Sequence, residues 1–189
     1  MLKKNIFIVL LLLFWVRTQA QEDNSVFQFL KLPFSSHAAA LGGENISIIE
    51  DDLTMAVHNP ALLSCVADKT LNLNYTLYIA GVNAASAAFS RVLGDRSTWA
   101  VTAQFVNYGT MKETTSENII TGTFSAKDMA FSGIYSYDLS DYWSGGVKAN
   151  LIYSNYDKFS SFAIGVDLGL NYYHKNSDFS FSIVARNLG

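Results

Sequence analysis

From Leu71 onward, apolar and polar residues alternate with a period of two, the spacing of a strand whose faces meet different surroundings. Leu71, Leu73, Tyr75, Leu77 and Ile79 alternate with Asn72, Asn74 and Thr76, and Trp99, Val101, Ala103 and Phe105 with Thr98, Thr102 and Gln104. The pattern recurs at 129–137, 142–156, 160–173 and 179–186, with weaker candidates at 84–92 and 118–125. About eight antiparallel strands fit this span, so the expected fold class is all-β.

Two architectures share such a pattern. In a sandwich the apolar face meets a second sheet; in an outer-membrane barrel it meets lipid and the polar face lines the lumen. The alternations at 142–156 and 160–173 are longer than the roughly 5 to 6 residues of a soluble strand and reach the roughly 9 to 11 of a tilted membrane strand. Tyr135, Tyr137, Trp143, Tyr153, Phe162, Tyr172 and Phe179 stand toward the ends of the apolar stripes, as interfacial girdles require. An antiparallel transmembrane β-barrel is therefore expected over 70–189.

Register follows from keeping every apolar residue on one face. A hairpin centred between Asp157 and Lys158 sets Lys148 opposite Asp167, Leu151 opposite Ile164 and Trp143 opposite Tyr172. One centred on Asn176 and Ser177 sets Asp167 opposite Arg186 and Leu170 opposite Ile183. The expectation is a row of Lys148, Asp167 and Arg186 on the inward, polar face.

Composition sharpens this picture. Half the residues are hydrophobic and the net charge is −3, which excludes a disordered chain and leaves no basic footprint for nucleic acid. A single cysteine, Cys65, excludes an internal disulfide framework. Residues 1–20 read as a secretory signal: Lys3 and Lys4, an apolar run from Ile6 to Val16, then Thr18-Gln19-Ala20 as a small-residue cleavage site. That run spans roughly 16 Å as a helix, short of the ~30 Å of a bilayer core. Export and cleavage are expected.

Residues 21–69 differ from the rest. They hold both prolines, Pro33 and Pro60, and none of the ten tyrosines. Ser35 or Ser36 can cap a short Ala-rich helix that Gly42 ends, and Asn59-Pro60 can start a turn.

The ordered set Leu32-Pro33, Ser35 to Gly43 (SSHAAALGG), Asp51-Asp52 and Asn59 to Leu63 (NPALL), followed by LNLNYTLYIA, resembles the PorV/PorQ group of type IX secretion proteins, relatives of the FadL-type outer-membrane barrels. The likeness continues through Val106 to Gly109, Gly122 to Ala126 and Asn187 to Gly189, and departs from the pattern at His37, where Arg is expected. Gly42, Gly43, Asp51, Asp52, Asn59, Pro60 and Ala61 carry the structural motif. The resemblance implies a FadL/PorV-like barrel of about fourteen strands with residues 21–69 in or near its lumen, so this sequence is expected to be a C-terminally truncated part. It also implies a non-enzymatic role without cofactors: a place in the cell-surface attachment complex, holding a PorZ-like partner beside PorU and PorV. A FadL-like transporter of hydrophobic solutes is the alternative, and a soluble β-sandwich adhesin a third reading.

Site chemistry is sparse. Asp51, Asp52 and His58 could be imagined as metal ligands, but adjacent carboxylates diverge in most backbones. Ser64, His58 and Asp52 lack a nucleophile elbow. Gly42-Gly43 lacks the βαβ unit of a dinucleotide loop.

Overall fold

The computed structural model describes residues 27–157, 159–174 and 179–188. The signal at 1–20, Lys158 and the Asn176-Ser177 turn centre lie outside the described residues. Leu71–Leu77 (β1), Asn83–Leu93 (β2), Ser97–Thr114 (β3), Ile120–Asp138 (β4), Trp143–Tyr156 (β5), Phe159–His174 (β6) and Phe179–Leu188 (β7) form one antiparallel sheet of seven strands in sequence order. The chain is all-β with short helical turns, and the sheet is open, since β1 and β7 do not pair.

The strand count differs from the expected eight. The candidates at 118–125 and 129–137 are one continuous strand, β4, because Ala126, Lys127 and Asp128 between them include no Gly or Pro and keep the in-and-out alternation. Ile79 leaves β1 for a tight turn, Ile79–Gly81, in which Ala80 adopts a positive φ. In β5 and β6 the alternation dictates the pairing: Trp143 faces Tyr172, Lys148 faces Asp167 and Leu151 faces Ile164.

Exposure along the sheet is inverted relative to a soluble domain. Leu73, Tyr75, Val101, Phe131, Leu151 and Ile164 are all exposed, whereas Thr102, Asp128, Lys148, Asn150, Asp167 and Asn171 are buried. In β5 the switch is residue by residue: Val147, Ala149 and Leu151 face out and Lys148, Asn150 and Ile152 face in. The apolar residues that are buried come largely from the segment before β1. Phe34, Leu53, Ala56, Leu63 and Val66 pack on Ala88, Ala100 and Ile134, and Phe29 packs on Val106, Ala130 and Ile152. The inward face is therefore covered by the chain's own N-terminal segment.

Candidate functional site

The site is the contact between that segment and the inward face of β3 to β7. Its first part is the helix Ser36–Ala40 (α1), capped by Ser35, whose Oγ accepts the Ala38 N–H at 3.0 Å. Gly42 and Gly43 follow with φ of 95° and 100°, and their N–H groups return to the Ala39 and Ala38 carbonyls. That left-handed exit is what the glycine pair supplies.

The two aspartates diverge. Asp51 accepts the Ala67 N–H at 2.7 Å, whereas Asp52 accepts both the N–H and the hydroxyl of Thr54 at 2.8 Å and meets His37 Nδ1 at 2.6 Å. Ser35 completes this clasp by donating to Thr54 Oγ1 at 2.9 Å. The hydrogen bond to Asp52 raises the His37 pKa, with Glu50 adding at 3.6 Å. For Asp52, burial pushes its pKa up, but the bonds from His37 and Thr54 outweigh burial and hold it below the usual range. His37, Asp52, Thr54 and Ser35 thus form one hydrogen-bonded chain.

The second part is Asn59-Pro60-Ala61, which opens the turn Pro60–Cys65. Asn59, with no exposed surface, accepts the Ala61 N–H at 3.0 Å and donates to the Ile46 carbonyl at 2.7 Å. These residues lie flat on Gly146 of β5 and Gly169 of β6, which are paired across the sheet. A Cβ on Gly146 would stand 2.3 Å from the Pro60 carbonyl carbon; one on Gly169 would stand 2.1 Å from Asn59 Oδ1. Both glycines are therefore required for space. Sequence reasoning missed them, although a glycine inside a strand pattern is a signal of close backbone approach.

The third part is ionic. Lys148 Nζ stands 3.2 Å from Asp167 Oδ2 and donates to the Val57 carbonyl at 2.9 Å, tying the wall to the N-terminal segment. Asp167 also accepts from Asn150 Nδ2 at 3.0 Å and from the Asn187 N–H at 2.8 Å, and Ser132 donates to Asn150 Oδ1 at 2.7 Å. Arg186 stands across from Asp167 but bonds elsewhere. Leu168 pairs with Ala185 but Val166 with Leu188, so a bulge sets Arg186 and Asn187 together opposite Asp167. Asn187, with φ of 56°, turns its N–H onto the carboxylate and Arg186 reaches Glu44 at 2.7 Å instead. That bond holds the Glu44 pKa below its ordinary range. The expected row of three is thus an ion pair plus a separate Arg186–Glu44 bridge.

His58 is buried beside Lys148, and its Nε2 finds no hydrogen-bond partner. Burial, then the Lys148 charge, lowers its pKa to about 4, so it is neutral near pH 7. Ser64 donates to the Ala61 carbonyl and Asp52 is held by Thr54 and His37, so Ser64, His58 and Asp52 are not assembled as a triad. Among the described residues no cluster of His, Cys, Asp or Glu has the geometry to hold a metal ion. Between the segment and the wall remains a cavity of about 630 Å³, bounded by Phe27, Leu30, Phe34, Ile152, Lys148 and Arg186.

Compared with known families and curated proteins, the chain matches no family model and no curated sequence.

Proposed function

We propose that the chain is part of an outer-membrane β-barrel whose N-terminal segment plugs the lumen, and that it serves in a type IX secretion attachment complex. The observation that carries the barrel is the inverted sheet, with apolar side chains exposed and a polar, ion-paired face covered by residues 27–69. Water cannot sustain so large an apolar face on one chain, whereas lipid favours it. Trp143 and Tyr153 on β5 are about 33 Å apart at ~3.3 Å per residue, or about 25 Å along the membrane normal at a tilt of ~40°, the height of a barrel's apolar band. β3 and β4, of 18 and 19 residues, outrun their neighbours at one end. Long hairpins belong to the extracellular side of such barrels, so that end is read as outward.

The secretion role rests on the resemblance carried by Gly42, Gly43, Asp51, Asp52, Asn59, Pro60 and Ala61. In this reading the protein holds a PorZ-like partner at the surface, with PorU and PorV, and supports processing and anchoring of cargo. Deleting the gene and following surface retention of the PorZ-like protein and of cargo tests it; normal retention of both would refute it. A second reading, a FadL-like transporter, is favoured by the cavity beside the N-terminal segment. Loss of long-chain fatty-acid uptake in the same deletion strain, with cargo anchoring intact, would select it.

A further inference from the structure

On the outward face the strands carry a trough beneath a polar row. Pairing across the sheet aligns Leu73, Ala87, Ala103 and Phe131, and next to them Tyr75, Ala85, Phe105 and Met129. The three alanines form the floor and the larger side chains the walls of an apolar hollow of about 430 Å³. Two residues further along each strand, pairing aligns Asn83, Asn107, Lys127 and Asn155. Tyr75 Oη donates to Asn83 Oδ1 at 3.2 Å, so the aromatic row meets the polar one as at a membrane interface. Lys127 is exposed, roughly 7 Å along β4 from Met129 at the trough's mouth. Among the described residues no acidic side chain pairs with it.

We infer that this hollow is a binding site for a phosphorylated acyl lipid of the outer leaflet, with one chain lying on Ala85, Ala87 and Ala103 and its phosphate at Lys127. Charge complementarity selects that occupant: an apolar protein surface would leave Lys127 unpaired, and a neutral lipid would not use it. The inference rests on the reading that this face meets lipid and that the β3–β4 end points outward. Alanines at consecutive outward positions also depart from the large residues ordinary on lipid-facing strands, which β1 shows with Leu71, Leu73 and Tyr75.

The test uses the full chain, purified in detergent and offered lipid A, dephosphorylated lipid A or inorganic phosphate, with retained adducts counted by native mass spectrometry. Lipid A is expected to be retained, its dephosphorylated form about fivefold less, the worth of one interfacial Lys against an anionic lipid. Lys127→Glu should lose at least that factor and Ala87→Phe should fill the hollow, whereas Arg91→Glu, outward at the opposite end, should change nothing. Equal retention by Lys127→Glu, loss in Arg91→Glu, or displacement of the lipid by inorganic phosphate alone would overturn the inference. Should Ala87→Phe fail to fold, Lys127→Glu, an exposed change, still decides. Protein found in the membrane fraction without selective lipid retention refutes only this inference; protein absent from that fraction refutes the barrel.

Discussion

The docking of Asn59-Pro60-Ala61 on paired glycines predicts a sharp response to a single methyl group. In Gly146→Ala the new Cβ would stand 2.3 Å from the Pro60 carbonyl carbon, 2.4 Å from its oxygen and 2.5 Å from the Ala61 nitrogen. All three are backbone atoms, so no side chain can rotate away, and the N-terminal segment must retreat by about 1 Å to reach ordinary contact near 3.5 Å. Overpacking of this kind costs about 1–3 kcal/mol if the segment stays. Leaving altogether would forfeit the burial of Leu53, Met55, Leu62 and Leu63 at about 1.5–3 kcal/mol each, more than the strain, so the segment shifts locally and stays docked. Cys65, which ends the same turn and is partly exposed, reports the movement. In the purified protein, Gly146→Ala should label with a maleimide at Cys65 faster than wild type and lower the heat-modification midpoint. Gly165→Ala is the matched control, on the inward face of β6 with nothing nearer than 4.0 Å to its Cβ. Labelling and midpoint alike in both variants would refute the docking argument.

Other outcomes follow from the same geometry. Lys148→Met strips the buried Asp167 of its counter-charge and the Val57 carbonyl of its donor, a loss of about 3–5 kcal/mol by thermal or denaturant unfolding. The double variant Lys148→Met, Asp167→Leu should recover part of it. His58, held near 4 in the folded chain against an ordinary 6.5, binds its proton more readily when unfolded. Stability should therefore fall as pH drops from 6.5 toward 4, by about 3 kcal/mol at ~1.4 kcal/mol per unit, and His58→Leu should flatten that slope. His37 acts oppositely: its contribution is complete at low pH and is lost as pH rises through its raised pKa, so His37→Gln should remove a stabilisation seen only on the acid side. Leu151→Arg, outward at mid-strand, should cost about 2–4 kcal/mol in lipid and cut recovery in the membrane fraction, whereas a water-facing Leu151 would tolerate it.

The sheet was largely legible because a strand's period of two leaves a record in sequence. Keeping Val147, Ala149 and Leu151 on one face left a single register for β5 and β6, and pairing of Lys148 with Asp167 followed from it. The pattern failed where alternation does not report geometry. Ala126 to Asp128 read as a break between strands but continue one, and the bulge at Asn187 has no signature in spacing, so the turn of the Asn187 N–H onto Asp167 and of Arg186 to Glu44 was not legible. The caps at Ser35 and Asn59 were visible because they depend on neighbours in sequence.

By itself, then, the sequence determined the local terms: strand periodicity, helix capping, the glycine exit after α1 and the inward placement of Lys148 and Asp167. Only the tertiary structure decided what those inward groups meet. Gly146 and Gly169 acquire their role from a segment some eighty residues or more away, Lys148 from the Val57 carbonyl, Arg186 from Glu44 and Asp52 from His37. Such contacts are absent from any periodicity, because they depend on how the chain closes loops between distant segments, and that choice is set by shape and charge complementarity in three dimensions.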